Sequence, residues 1–125
     1  MNKKELDRVL EQHRLWLESG GNKGERADLQ GANLRHVSLQ NADLRYANLW
    51  NVDLRYANLR NANLRGANLL HTNLQDADLR HAKFDTNIRD CWSFRLAKFI
   101  QDALPWLILH PKWAEWKDTV QIEEA

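Results

Sequence analysis

ADLQG ANLRH VSLQN ADLRY ANLWN VDLRY ANLRN ANLRG ANLLH TNLQD ADLRH AKFDT, residues 27–86, is twelve five-residue units in one unbroken register. Leu29, Leu34, Leu39, Leu44, Leu49, Leu54, Leu59, Leu64, Leu69, Leu74 and Leu79 hold the centres of the first eleven, and Phe84 holds the twelfth. Two positions before each centre stands a small or β-branched residue, usually alanine. An internal repeat of this regularity decides the fold before any single residue does. An α-helix turns about 100° per residue, so a five-residue period would smear the leucines around its circumference. In an extended chain residues two apart share a side, so Ala27 with Leu29, or Ala32 with Leu34, point inward together. Five is odd, however, and a straight strand would send Leu29 and Leu34 to opposite faces. Keeping every leucine inside requires a corner in each unit. A chain that corners regularly and always the same way becomes a coil. Its turns stack at the strand spacing of about 4.8 Å, and each buries its leucines only against its neighbours, as in a solenoid. The period alone fits a three-sided or a four-sided section.

The tandem A(D/N)LXX units resemble the pentapeptide-repeat family. The resemblance implies a right-handed quadrilateral parallel β-helix with four units per coil, hence about three coils. Val37, Val52 and Thr72 replace the inner alanine, so those positions must hold extra volume. Lys83 stands where Asn or Asp is usual, and the ring of Phe84 reads as a floor for the core. After Thr86 the register fails, because Arg89 falls where the next centre would be.

Before the array, residues 2–19 read as an amphipathic helix with Leu6, Val9, Leu10, His13, Trp16 and Leu17 on one face. Asn2 and Glu5 resemble a capping box, and Gly20 with Gly21 supplies the stop. A short isolated helix is marginal in water, so this one must dock, and the open start of the array is the nearest surface. Gly20 to Arg26 reads as a flexible polar link. After the array, residues 90–104 read as a second helix, Pro105 interrupts it, and Pro111 starts a short third helix carrying Trp113 and Trp116. Residues from Thr119 on look polar and loosely held. The chain thus divides into an N-terminal capping helix and link (1–26), the β-helix (27–86) and a C-terminal helical cap or interaction segment (87–125).

Composition narrows the function. The 125 residues carry a formal net charge of +1, which argues against direct nucleic-acid binding. Cys91 is the only cysteine, which fits a reducing cytoplasm. No apolar run approaches the roughly 20 residues of a membrane span, and the charged first turns do not read as a signal peptide. Catalysis finds no support: there are three serines and no Gly-rich phosphate loop, HExxH or CxxC. His36, His71 and His81 close their units on three different faces and do not converge on one metal ion. Neither metal nor cofactor is expected. The Asn and Asp residues before each leucine read as turn chemistry, their side chains serving nearby backbone N–H groups.

The outward residues form columns of every twentieth position. They are Gln30, Trp50, Leu70; Arg35, Arg55, Gln75; Gln40, Arg60, Arg80; and Arg45, Arg65, Asp85. Stacked arginines need acidic neighbours or anions, and Asp43, Asp53, Asp76 and Asp78 are available. Trp50 above Leu70 invites contact, either from a terminal segment of the chain or from a partner. The resemblance implies a non-enzymatic binding protein. Several members of the family imitate duplex DNA and occupy proteins that grip it, gyrase for some and phage-countered defence complexes for others. For such a mimic, in a bacterium or phage, the acidic candidates are Asp43, Asp53, Glu115, Asp118, Glu123 and Glu124. The alternative is a scaffold or dimerisation module whose anchors are Trp50, Leu70, Trp106, Leu107, Ile108, Leu109, Trp113 and Trp116, since tryptophans dominate interface hot spots. The partner expected is a protein, with homodimerisation through the C-terminal segment as one form.

Overall fold

The computed structural model describes residues 1–85 and 87, the strand residues 98–100 and 121–123, and Ala114 and Asp118. The array is a ladder of parallel bridges set twenty positions apart. Asp28 pairs with Asn48 and Asn48 with Asn68; Asn33, Asp53 and Asn73 form a second column. Ser38, Asn58 and Asp78 form the third, and Asp43, Asn63 and Lys83 the fourth. Twenty residues therefore make one coil of four sides, and each side has three rungs. Between rungs the backbone bonds are short, as from Leu34 N–H to Asp53 C=O at 2.8 Å and from Leu54 N–H to Asn73 C=O at 2.8 Å.

The corner required by the odd period is a left-handed residue. The closing residue of each of the first eleven units has φ between 57 and 72°, nine of them without being glycine. That region favours Gly, Asn, Asp and His, which explains why these types recur there. Corners whose unit carries Asn or Asp before the leucine are tied twice. The N–H of the next inward residue donates to the preceding leucine carbonyl, as from Ala32 to Leu29 at 2.9 Å. The Asn or Asp side chain accepts from the N–H two residues on, as in Asp43 to Arg45 at 3.2 Å and Asn48 to Trp50 at 3.1 Å.

Inside, Leu29 through Leu79 are all buried, and Phe84 packs half-buried against them. Val52 and Thr72 are buried where alanine is usual, and Val37 is half-buried. Thr72 brings a hydroxyl into the core, where it donates to the Leu49 carbonyl at 2.7 Å, so its burial leaves no orphan group.

Helix α1 spans Lys3–Glu18. Asn2 Oδ1 accepts the Glu5 N–H at 2.8 Å, and the Glu5 carboxylate accepts from the Asn2 amide at 3.3 Å. Gly21 N–H donates to Trp16 C=O at 2.9 Å, and Gly20 takes φ 65°, which ends the helix. Leu6 and His13 are buried, and Val9 and Leu10 pack on the core, so α1 covers the N-terminal end of the coil. The segment after it is not the flexible link that its composition suggests. Lys23 N–H donates to Ser19 Oγ at 2.8 Å and Glu25 N–H to Gln12 C=O at 3.1 Å. Gly24 lies so close to α1 that a Cβ there would meet Gln12 O at 2.3 Å, and its φ is 70°.

The C-terminal expectation changes in part. Lys98–Ile100, expected within a helix, form strand β1, which pairs in parallel with Gln121–Glu123, strand β2, expected to be loose. Phe99, Ile100 and Ile122 are residue types of high strand propensity. Ala114, within the expected third helix, is helical, and the rest of the expected second and third helices lies outside the described residues.

Candidate interaction surface

The outer faces are built by the residue after each leucine, and their charge is largely settled within single units. In each D-L-R triplet the arginine folds back onto the aspartate two positions earlier. Arg45 Nε and Nη2 donate to Asp43 at 2.9 and 2.7 Å, and Arg55 does the same to Asp53 at 2.9 and 2.7 Å. Arg80 donates to Asp78 at 2.9 and 2.6 Å. These hydrogen bonds hold the Asp43 and Asp53 carboxyls below the usual carboxylate range, against the opposing effect of burial. At Asp78 burial pushes upward most strongly, and the combined hydrogen bonds and charges of Arg80 and Arg60 still leave it lowered. Arg35 reaches across the rung to Asp53 at 3.7 Å.

N-L-R triplets behave differently. Asn58 Oδ1 accepts the Arg60 N–H at 3.1 Å, and its amide reaches Gln40 at 3.3 Å. Arg60 Nε is left buried without a hydrogen-bond partner among the described residues. Asp before leucine gives the arginine after it a two-nitrogen ionic clamp, whereas Asn gives at most one bond, as from Arg35 Nε to Asn33 Oδ1 at 3.3 Å, a distinction that the stacked-column reading missed.

The side carrying Gln30, Trp50 and Leu70 has no D-L-R triplet. Trp50 is half-buried, with the edge of its ring against His71 at 6.2 Å, and Leu70 is 41% exposed. At the corner leading into that side, Tyr46 is 56% exposed and lies over Gly66, where an added Cβ would come within 2.5 Å of its ring. At the corner two sides away, the rings of His36 and Tyr56 stack at 4.9 Å. The tyrosines were not singled out by sequence; their signal was a bulky residue at the left-handed closing position.

Other candidates are placed as follows. Asp118 is exposed, and Glu123 lies in β2. Trp106, Leu107, Ile108, Leu109, Trp113, Glu115, Trp116 and Glu124 lie outside the described residues. Asp43 and Asp53, proposed for an acidic patch, are ion-paired with Arg45 and Arg55 while their side chains remain 41% and 27% exposed. Among the described residues no group of three or more His, Cys, Asp or Glu is arranged to hold a metal ion. No helix among them is long and apolar enough to cross a membrane.

A five-residue repeat wound into four-sided coils with a leucine interior defines a β solenoid. The family model of pentapeptide repeats (8 copies) matches residues 25–56 and 51–85, and the chain belongs to this family. Solved structures similar to it are pentapeptide repeat proteins. One, from the Arabidopsis thaliana thylakoid lumen, is 22% identical over 67% of this chain and 72% of its own, with a TM-score of 0.35. One from the cyanobacterium Cyanothece 51142 is 32% identical over 54% of this chain and 67% of its own, with a TM-score of 0.35. One from Nostoc PCC 7120 is 25% identical over 92% of this chain and 95% of its own, with a TM-score of 0.26. No curated protein matches the chain in sequence.

Proposed function

We propose that the protein is a non-enzymatic protein-binding module, a right-handed quadrilateral β-helix of about three coils that presents its Trp50–Leu70 side to a partner. The interior is taken up by leucine packing and the corners by turn hydrogen bonds, so recognition falls to the outer faces. The observation that carries the reading is the contrast between sides. Arginines on the other three are clamped or interleaved with polar groups, whereas this one offers exposed Leu70 beside Trp50, with Tyr46 at its edge. A rigid array holds these anchors without the ordering cost that a loop would incur. The test is to capture partners with the wild-type protein and with Leu70→Asp, after circular dichroism has verified that both are folded. A partner retained by the first and lost by the second supports the assignment. An identical set of partners from both refutes it.

The finer reading, a DNA mimic that inhibits a DNA-binding enzyme, requires an anionic stripe. Its support is the rod shape and the aspartates at its edges. The internal ion pairs of Asp43 and Asp53 weigh against it, because those charges are already answered by Arg45 and Arg55. Inhibition of a supercoiling enzyme that weakens as Asp28 and Asp76 are neutralised would restore it. Self-association through the tryptophan-rich C-terminal segment is the partner form that composition supports, and sedimentation at two concentrations tests it.

A further inference from the structure

We infer that His13 is an acid-sensitive latch: its neutral ring substitutes for the coil that the array lacks at its N-terminal end, and protonation releases α1 from that end. The argument starts from what a preceding coil would supply. Throughout the array, the carbonyl of the residue after each leucine accepts an N–H from the coil before it, as Arg65 C=O does from Tyr46 N–H at 3.1 Å. Arg45 belongs to the first coil, and the corresponding donor, the Arg26 N–H, makes no such bond to it. His13 Nε2 takes its place, at 2.9 Å from the Arg45 carbonyl oxygen. Likewise the inward residue of each later unit donates its N–H to the leucine carbonyl three positions back, as Ala47 does to Leu44 at 3.1 Å. Ala27 opens the array and has no such leucine. Its N–H donates to His13 Nδ1 at 2.9 Å.

One ring therefore satisfies a backbone donor and a backbone acceptor at the corner where the coil begins, while remaining fully buried. Both bonds together fix the tautomer. Nδ1 must be bare to accept from Ala27, so the proton sits on Nε2 and points at Arg45. A second proton has one place to go, Nδ1, where it would meet the Ala27 N–H head-on. The groups around the ring do not rescue that charge. Asp43 favours it, but its carboxylate is clamped by Arg45 at 2.7 Å, and the charges of Arg26 and Arg45 oppose it. On α1 the residues one turn away, Val9, Leu10, Trp16 and Leu17, are uncharged, and Trp16 stacks on the ring at 5.6 Å. Burial in first place lowers the affinity of the ring for a proton below that of free histidine. The folded state thus binds fewer protons than the released state. The docking contributed by His13 is fully present above about pH 6.5, the ordinary histidine value, and falls as pH drops below it. Release would bare the apolar end, Leu34 and Val37 beneath Leu6, and the unpaired edge of the first coil, which is a template for strand pairing.

The test is amide hydrogen exchange of the full chain between pH 8 and 5, corrected for intrinsic rates. It compares peptides from α1 with peptides from the middle coil in wild type, His13→Gln and the exposed control His36→Gln. The expected result is that α1 protection in wild type and in the control falls by about tenfold per pH unit between the free and docked histidine values. In His13→Gln it should be lower at pH 8 and flat with pH. The overturning result is α1 protection that does not change with pH in wild type, or that changes equally in His13→Gln. Should His13→Gln lose α1 protection altogether, nitrogen-15 shifts of the wild-type ring decide. A protonated Nε2 with bare Nδ1 at pH 8 supports the latch, and the opposite tautomer overturns it.

Discussion

Leu54→Ala should be among the most damaging single substitutions in the array, and its cost can be worked from the coil geometry. Leu54 is buried, with Leu34 and Leu74 on the same side in the adjoining coils. Three buried carbons disappear, which at about 0.8 kcal/mol each forfeits about 2.4 kcal/mol of transfer free energy. A cavity contribution adds to this, and here it should be near its upper range. The rungs above and below are pinned by backbone bonds of 2.8 Å from Leu34 to Asp53 and from Leu54 to Asn73, so the walls cannot close on the gap. The total expected is about 3–5 kcal/mol. Arg55→Ala is the control one residue away. Its guanidinium lies outside, a third exposed, and removing it leaves Asp53 with Arg35 at 3.7 Å. Its cost should be a small fraction of the leucine's, because solvent screens such pairs. Urea titrations followed by circular dichroism and by tryptophan fluorescence measure both, and coincidence of the two probes checks that one transition is being read. Equal losses for the two variants, or a loss below about 1 kcal/mol for Leu54→Ala, would refute the assignment of inward and outward positions.

Three further outcomes follow from named contacts. The carboxyls of Asp43, Asp53 and Asp78 are lowered in the fold, so the unfolded chain binds more protons than the native one near the ordinary carboxylate value. Their stabilisation is therefore fully present above about pH 4 and is lost as pH falls through the lowered values; melting temperatures from pH 6 to 2 should drop in wild type and drop less steeply in the triple Asp→Asn variant. Gly66→Ala should cost about 1–2 kcal/mol, part from the left-handed backbone and part from collision with Tyr46, and thermal melts should show Tyr46→Ala relieving the second part only. Asn87→Asp should destabilise more than Asn87→Ala, because the amide donates to the Leu64 and Ala67 carbonyls at 2.8 and 2.9 Å and a carboxylate there would face two acceptors; urea midpoints rank them.

The repeat made the interior legible because every leucine obeys one rule, and an odd period permits few ways to keep them all inside. The helix at the start was legible from its spacing and its glycine stop. What the sequence hid was set by contacts between distant residues. The link after α1 reads as loose by composition, yet Gly24 is there because α1 approaches too closely for any side chain. The arginine columns read as repelling stacks, yet clamping is decided two residues away in the same unit, by Asp53 for Arg55 and by the lack of an acid at Asn58 for Arg60. The tyrosines at corners were hidden because their partners, Gly66 for Tyr46 and His36 for Tyr56, lie one coil away. At Lys98–Ile100 a mixed spacing favoured helix, and pairing with a strand some twenty residues on decided otherwise.

The two ends of the array follow one physical rule that links these cases. A coil in the middle satisfies its backbone through the coils above and below, and a terminal coil must find substitutes or expose an edge. At the start, the His13 ring gives Arg45 the donor and Ala27 the acceptor that a neighbouring coil would provide. At the other end, around the last described residues of the array, side chains again stand in. Gly66 N–H, whose equivalents Gly31 and Tyr46 donate to backbone carbonyls of the next coil, donates instead to Asp85 Oδ2 at 3.0 Å. Ala67 C=O, whose equivalent Ala47 accepts from the Asn68 N–H, accepts from the Asn87 side-chain amide. Both substitutions fall at the same corner of the section, the seam where one coil passes into the next. Repetition alone would permit the coil to continue indefinitely. At both ends a few polar side chains imitate the backbone at that seam. His13 is distinctive among them because, below the ordinary histidine value of about pH 6.5, a proton on its ring would abolish the imitation.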